Sequence, residues 1–273
     1  MVDGPMNLSA ATRTNLLALQ STSDKIATVQ GRLSTGLKVS SALDNAISYF
    51  QARALNDRAS DLMNLKDSID QGVSSVETAI NGLDSIGKLV AQMKGLAMAA
   101  KSNSNKEDRS RAAGQFNDLR AQLDNLANDS SYKGSNLIKG SPANLKVSFS
   151  EDGSSTLTVS GIASDSSGLS IVTATTNWVE DVNIENAIND LDSALSTLRS
   201  SGATMGSNAA VLSLRLDFTT NMINSLEGGA SKLVNADLNY ESASLLTLQT
   251  RQQLGTIGLS IAQQSEQAIL RLF

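Results

Sequence analysis

The run LMNLKDSIDQGVSSVETAINGLDSI at residues 62–86 decides the fold class. Its apolar residues recur every three or four positions, which is typical of one face of a long helix. The full stripe consists of Leu55, Leu62, Leu65, Ile69, Val73, Val76, Ile80, Leu83 and Ile86. The only prolines are Pro5 and Pro142, so no proline interrupts the helix that this stripe predicts from Asn45 to Ala100. At 1.5 Å per residue such a helix is roughly 80 Å long, which predicts an elongated molecule.

Both ends of the chain carry a similar apolar stripe. A first helix is predicted from Leu8 to Leu43, and its stripe consists of Leu16, Leu19, Ile26, Val29 and Leu33. A last helical stretch is predicted from Ala230 to Phe273, with a stripe of Leu238, Leu245, Leu248, Leu254, Ile257, Ile261, Ala268 and Leu272. Such faces need a partner because neither stretch has a core of its own. Periodicity alone leaves two partners open, the other helices of one compact bundle or neighbouring copies of the chain.

The middle of the chain combines further helices with one strand-like region. A third helical stripe lies between Phe116 and Leu126, and helix is predicted again from Val182 and from Asn208 through Leu226. Gly228-Gly229 then predicts a joint. Between these helices, residues 145–149 and 157–159 alternate apolar and polar side chains around a turn at Asp152-Gly153, which predicts a hairpin, and residues 169–172 predict one more short strand.

The predicted fold class is therefore mainly α, a long-helix bundle with paired N- and C-terminal coiled-coil helices and a small β-hairpin region. We expect residues 1–43 and 231–273 to form the two halves of an inner coiled-coil domain. A second domain is expected to contain long helices at 44–143, a small β region at 144–180 on its tip, and return helices at 181–230.

Composition removes several function classes. The chain of 273 residues has 22 Lys and Arg against 27 Asp and Glu, a formal net charge of -5, so nucleic acid is not expected as a partner. It contains no cysteine and no histidine, which removes thiolate nucleophiles, most metal sites and the commonest general base. No window approaches the roughly 20 apolar residues that span a bilayer, so no membrane insertion is expected. We therefore expect no catalytic residues, no cofactor and no metal.

Three short motifs suggest chemistry but have simpler explanations. Residues 82–88 follow the phosphate-loop pattern, but Leu89 replaces the Ser or Thr that binds magnesium, and the motif falls inside a helical stripe. The serines at 164–168 have no histidine to activate them and are interpreted as a turn. Glu151 and Asp152 lack the spacing of a calcium loop and are interpreted as exposed turn charges.

Signature-like stretches lie at both ends of the chain. RLSTGLKV at 32–39 and SALDNA at 41–46 resemble the N-terminal signature of bacterial flagellins, and LVNADL at 233–238, ESA at 241–243 and QQLG at 252–255 resemble the C-terminal one. The resemblance continues to the last residue and covers about the first 140 and the last 90 residues. The signature residues are Arg32, Leu33, Ser34, Gly36, Asp44, Asn45, Asp237, Gln253 and Gly255.

This resemblance implies a structural, non-enzymatic subunit that self-assembles into the flagellar filament for motility, a homopolymer of many copies. It also implies export through the flagellum's own type III channel to an extracellular location, with an export chaperone, hook-junction proteins and cap proteins as partners. The outer domain would be minimal, since only the short region around 144–175 occupies its place. The self-assembly residues would be those of the two terminal stripes, Leu16, Leu19, Ile26, Val29, Leu33, Leu245, Leu248, Leu254, Ile257 and Ile261. Alternatives of the same fold are a hook–filament junction protein and a surface adhesin.

The resemblance carries one further expectation. Flagellins that the vertebrate innate receptor senses typically have an Arg-Glu-Leu-Ala core, where this chain has Lys94-Gly95-Leu96-Ala97. Gln122 also falls where that class tends to have an acidic residue. The sequence therefore predicts weak recognition or none.

Overall fold

The computed structural model describes residues 10–270, and these residues are mainly helical. The helices and strands are α1 Ala10–Thr35, α2 Ala46–Ser102, α3 Lys106–Asp129, β1 Leu145–Ser148, β2 Thr156–Val159, α4 Asp181–Val234 and α5 Leu238–Leu270. A short 3₁₀ turn, Thr176–Trp178, precedes α4. This arrangement confirms the predicted fold class, long helices with a small two-stranded antiparallel sheet.

The chain divides into two compact units. The terminal unit contains the chain up to Asp57 and the chain from Ser225 onward, and the middle unit is Arg58–Asn224. The division follows from the packing of the apolar stripes, since each unit has a hydrophobic cluster of its own.

The core of the middle unit lies between α2, α3, α4 and the hairpin. Its helical members follow the three-or-four spacing of the stripes, so each helix turns one apolar face inward. The largest fully buried side chains are Ile69, Ile86, Met93, Phe116, Leu123, Leu137, Ile138, Ile171, Trp178, Ile184, Leu191 and Met205. The rings of Phe116 and Trp178 pack with their centroids 5.0 Å apart.

The predicted hairpin is present. Leu145 pairs with Val159 and Ser148 with Thr156, and the connecting turn contains Gly153 in the left-handed region at φ +70°. Val147 is buried on β1, and a Cβ added to Gly72 of α2 would lie only 2.8 Å from a Val147 methyl group. The missing side chain at Gly72 therefore lets the hairpin approach the helix closely.

The turn charges of the hairpin have partners. Glu151 accepts a hydrogen bond from the Arg58 guanidinium at 3.3 Å. Hydrogen bonds from Ser150 and Ser154 lower the pKa of Asp152 to about 2. Both carboxylates are thus held by neighbouring side chains of the middle unit.

The predicted strand at residues 169–172 is wrong. Ser170 has a positive φ of 56°, and the Ile171 N–H donates back to Ser166 O at 2.8 Å, so the segment is a turn. Leu169 and Ile171 are nevertheless buried, because the turn folds both side chains into the core. The apolar side chains that suggested a strand are explained by packing into the core, and not by sheet pairing. The serine turn at 164–168 is confirmed, and its Ser166 hydroxyl donates to Asp124 at 2.9 Å.

Two predicted helix boundaries are also wrong. The joint at Gly228-Gly229 does not exist, since α4 runs unbroken from Asp181 to Val234. A glycine inside a helix costs only about 1 kcal/mol relative to alanine, and Ala230 is buried next to the pair. The first helix ends at Thr35 rather than at Leu43, because Gly36 adopts φ +72° and terminates it.

The phosphate-loop-like residues 82–88 lie inside α2. A Cβ on Gly82 would come within 2.6 Å of both Ile138 Cδ1 and Ser130 Oγ, so this glycine makes room for packing against the helix. Between residue 10 and the motif the structure has no strand, and the backbone N–H groups of the motif belong to the helix. The segment is therefore a stretch of helix and does not have the strand–loop–helix geometry of a phosphate loop.

Candidate self-assembly site

The terminal helices α1 and α5 pack against each other. Ile26 and Val29 of α1 and Leu248 of α5 form the buried core of this pair, and the half-buried Leu33 and Leu245 pack against it. This is a small core for two helices of 26 and 33 residues. Most of the stability of a protein helix comes from packing of its apolar face, so this pair has little support of its own.

Leu19 extends the contact at one point. A Cβ added to Gly255 of α5 would lie 2.8 Å from Leu19 Cδ2, so the two helices approach closely where this glycine lies. Glycine at a helix contact permits such an approach because no side chain separates the backbones. The signature residue Gly255 therefore has a packing reason.

The remaining stripe residues of α5 face away from this core. Leu254, Ile257 and Ile261 are 65%, 56% and 59% exposed and follow one another at spacings of three and four, so they share one helix face. On α1, Leu16 is exposed as well. Of the ten predicted assembly residues, the structure therefore brings five into one cluster, places Leu19 against Gly255, and leaves four on the surface.

The chain segments that leave α1 and enter α5 are tied together. The Lys38 and Val39 N–H groups both donate to Val234 O, at 2.8 and 3.2 Å, and the Ala236 N–H donates to Gly36 O at 2.8 Å. Val39 is buried beneath these bonds. We call residues 36–39 and 234–236 the elbow. Because the elbow joins both helices at the same end, it sets their relative register.

One ion pair reinforces the elbow. Arg32 Nη1 lies 3.1 Å from Glu241 Oε1, and the two side chains are 38% and 5% exposed. A nearly buried carboxylate is costly unless it is paired, so Glu241 depends on Arg32. Sequence reasoning named Arg32 but did not select Glu241 as a functional residue. An acidic residue in the first turn of a helix is a recognisable signal, but its partner lies 209 residues away and only the fold brings the two together.

Two of the remaining signature residues, Asn45 and Asp237, cap helix ends close to the elbow in sequence. Asn45 Oδ1 accepts the Ser48 N–H at 3.0 Å and begins α2, and Asp237 Oδ1 accepts the Asn239 and Tyr240 N–H groups and begins α5.

Asp44 accepts hydrogen bonds from Ser40 and Ser41, and the Ser40 hydroxyl is the largest cause of its lowered pKa. Because the pKa of Asp44 is lowered in the folded chain, its hydrogen bonds stabilise the fold at neutral pH. This stabilisation is lost as the pH falls below the ordinary aspartate range. Ser34 and Gln253 are exposed.

Reversing the charge of Arg32 is expected to lower the melting temperature of the terminal helix pair. Arg32→Glu places a second carboxylate beside the nearly buried Glu241. We expect the free energy of unfolding to fall by about 1–3 kcal/mol. This is less than the roughly 3–5 kcal/mol lost when a fully buried pair is broken, because Arg32 is partly exposed. The double variant Arg32→Glu with Glu241→Arg should recover most of this loss. Thermal melts followed by far-UV circular dichroism measure the effect.

The control is the surface pair of Arg53 and Asp57, which are 3.9 Å apart and both largely exposed. Arg53→Glu should change the free energy of unfolding by less than about 0.5 kcal/mol, since exposed pairs contribute little. If Arg32→Glu and Arg53→Glu lower the melting temperature equally, the pair of Arg32 and Glu241 does not support the elbow.

The residues singled out for receptor recognition lie in the middle unit. Lys94 Nζ on α2 lies 2.5 Å from Asp192 Oδ1 on α4, so its charge is engaged within the chain. Gly95 on α2 and Gln122 on α3 are exposed. No helix among residues 10–270 is both long and apolar enough to cross a membrane.

Comparison with known proteins shows which proteins this chain is similar to. The model of the bacterial flagellin N-terminal helical region matches residues 6–143, and that of the bacterial flagellin C-terminal helical region matches residues 184–273. Flagellin FljK of Caulobacter vibrioides is 34% identical over 98% of this chain and 98% of its own length. The flagellin of Brucella melitensis is 31% identical over 95% of each chain. A crystal structure of Bacillus cereus flagellin aligns with a TM-score of 0.49 at 22% identity, over 56% of this chain and 88% of that one.

The family models cover α1, α2 and α3 at one end and nearly all of α4 and α5 at the other, the elements that build both units. The junction-protein and adhesin alternatives are not favoured by these matches. The chain belongs to the bacterial flagellins, the exported structural proteins that polymerise into the extracellular flagellar filament used for motility.

Proposed function

We propose that the terminal helices are the part of this flagellin that drives filament assembly, and that the face of Leu254, Ile257 and Ile261 is covered by neighbouring copies. One observation carries the proposal: this face is exposed although it consists of large apolar side chains at helical spacing. Exposed apolar faces of this kind mark interaction sites. The other face of α5 already packs on α1, so the outward face is available to a neighbour.

Assembly and ordering of the terminal helices would be coupled. Among the residues of α1 and α5 whose burial is described, the core has only three buried apolar side chains, so the pair gains most of its support when neighbours cover the outward face. Contacts that do not close into a ring then extend a helical polymer. In this proposal residues 1–43 and 231–273 form the inner domain, residues 44–143 and 181–230 form the surrounding helices, and residues 144–180 form a minimal outer part.

The proposal includes no catalysis by the chain itself. Its partners would be further copies of the same chain, together with an export chaperone and the hook-junction and cap proteins of the flagellum. A chain without cysteine suits export in an unfolded form, since no disulfide can form on the way.

The experiment is seeded growth. Purified protein is depolymerised by heat, cooled with preformed seeds in moderate salt, and viewed by negative-stain electron microscopy beside a version trimmed to residues 44–229. Keeping Asn45 preserves the cap of α2 in the trimmed version. Long filaments from the full chain and none from the trimmed one are expected. Discrete particles from the full chain would contradict the proposal and favour a junction protein.

Recognition by the vertebrate innate receptor is expected to be weak. The Asp192 carboxylate engages Lys94, and neither Gly95 nor Gln122 supplies the acidic side chain typical of recognised flagellins. Purified monomer should activate a receptor reporter cell only weakly. The double variant Gly95→Glu with Gln122→Glu should raise the response, and strong activation by the unsubstituted monomer would overturn this expectation.

A further inference from the structure

Two exposed apolar stripes lie outside the predicted assembly face. The elbow stripe consists of Leu43, Ile47 and Phe50, which are 98%, 72% and 58% exposed. The α4 stripe consists of Val211, Leu214 and Phe218, which are 41%, 70% and 55% exposed. The first belongs to the terminal unit and the second to the middle unit. Neither stripe is used by the α1–α5 pair or by the core of the middle unit.

The two stripes have similar form. Each has two aliphatic side chains followed by a phenylalanine, at spacings of four and three in the elbow stripe and three and four in the α4 stripe. In α4 this spacing places all three side chains on one face over about two helical turns. In the elbow stripe Ile47 and Phe50 share one face of α2, and Leu43 lies in the turn that precedes this helix. Three large apolar side chains exposed in a row are unusual on a monomer and indicate a contact surface.

Family membership limits what can cover them. A helical homopolymer grows by head-to-tail contacts, in which one face of a subunit meets a different face of the next. Each copy must therefore present two distinct complementary faces. The elbow and α4 stripes are two such faces, similar in length and both apolar.

Charges beside the stripes are compatible with this pairing. Arg53 and Asp57 follow the elbow stripe, are largely exposed, and gain little from each other at 3.9 Å. Arg215 and Asp217 lie within the α4 stripe, and the Arg215 guanidinium also lies over the Phe149 ring of the same chain, 5.1 Å from its centre. The exposed Asp44 also lies within the elbow stripe. Each stripe thus has both basic and acidic neighbours, so opposite charges can face each other when the two stripes meet.

We propose that the elbow stripe of one copy docks on the α4 stripe of a second copy in the filament. The proposal rests on the filament-forming function proposed above. Three side chains form only part of the roughly 800 Å² per partner of a stable interface, so the stripes alone do not hold a dimer in dilute solution. The terminal helices keep neighbouring copies together in the filament, and the high effective concentration then makes the weak contact form.

The experiment uses the absence of cysteine from the chain. Ala46 and Ala210 are exposed and lie beside the elbow and α4 stripes, so cysteines there leave all six stripe residues intact. Filaments of the double variant Ala46→Cys with Ala210→Cys are treated with a short bis-maleimide and separated on a denaturing gel. Because each copy would link to the next, a ladder of dimers, trimers and longer oligomers is expected. Each single variant should give only monomer.

The matched control is Ala46→Cys with Ala99→Cys, since Ala99 is exposed on α2 outside both stripes. It should give only monomer. Monomer alone from the test variant, in filaments verified by electron microscopy, would overturn the pairing while leaving filament assembly intact. Dimers from a single variant would overturn it too, because they would mean that like stripes meet. Failure of the unsubstituted chain to grow filaments would refute the proposed function and the pairing with it.

Discussion

Ile261→Asp is expected to abolish filament growth while leaving the soluble monomer unchanged. In the single chain Ile261 is 59% exposed, so a carboxylate at this position remains in water. In a filament whose neighbours cover this face, the same carboxylate would be buried without a partner, which costs several kcal/mol in every copy. Seeded growth followed by light scattering and electron microscopy measures the loss.

Two variants make this result specific. Ile261→Leu keeps an apolar side chain of the same volume and should still grow filaments. Ile26→Asp should also stop growth, but it removes a buried residue of the α1–α5 core and should lower the helix content of the monomer. Both Asp variants should keep the middle unit folded, which the fluorescence of the single tryptophan, Trp178, reports. Normal filaments from Ile261→Asp would mean that no neighbour covers this face.

Phe116→Ala is expected to lower the free energy of unfolding of the middle unit by about 3–5 kcal/mol, the usual cost of removing a fully buried ring. Phe116 has no exposed surface and packs at 5.0 Å from Trp178. The substitution keeps Trp178 as the probe, so denaturant unfolding followed by tryptophan fluorescence measures the loss directly.

The control for this prediction is Phe218→Ala, which removes a ring of the same unit that is 55% exposed. It should cost less than about 1 kcal/mol, since surface substitutions usually have small effects. A similar loss from both substitutions would mean that burial at the Phe116 site does not dominate the stability of this unit.

The buried Trp178 lies in a segment with an unfavourable backbone conformation. Thr176, Asn177 and Trp178 adopt positive φ angles of 52–53° in succession, which is unfavourable for residues other than glycine. The burial of Trp178 against Phe116 offsets that cost, and Arg109 holds the segment through its 2.7 Å contact with Asp181 at the start of α4. The sequence did not predict this turn: Asn177 is a residue type that adopts the left-handed region readily, but Thr176 and Trp178 are not.

Local patterns predicted the elements well where the pattern was long. The stripe from Leu55 to Ile86 predicted α2 almost to its ends, and the alternation around Asp152-Gly153 predicted the hairpin. Short or ambiguous patterns failed. The residues at 169–172 belong to a turn that buries Leu169 and Ile171, and the glycine pair at 228–229 lies within a helix, because tertiary packing outweighed the local preference in both places.

The sequence by itself determined that the chain is mainly helical, that both ends carry apolar faces in need of a partner, and that the second long helix begins next to Asn45. These follow from spacing and from local hydrogen-bonding preferences, which act over a few residues. Only the tertiary structure decided which stripe residues pack within the chain, such as Ile26 against Leu248, and which remain exposed, such as Ile261. It also decided that Arg32 pairs with Glu241, because contacts between residues some 200 positions apart depend on the register of two helices, and neither helix contains that information alone.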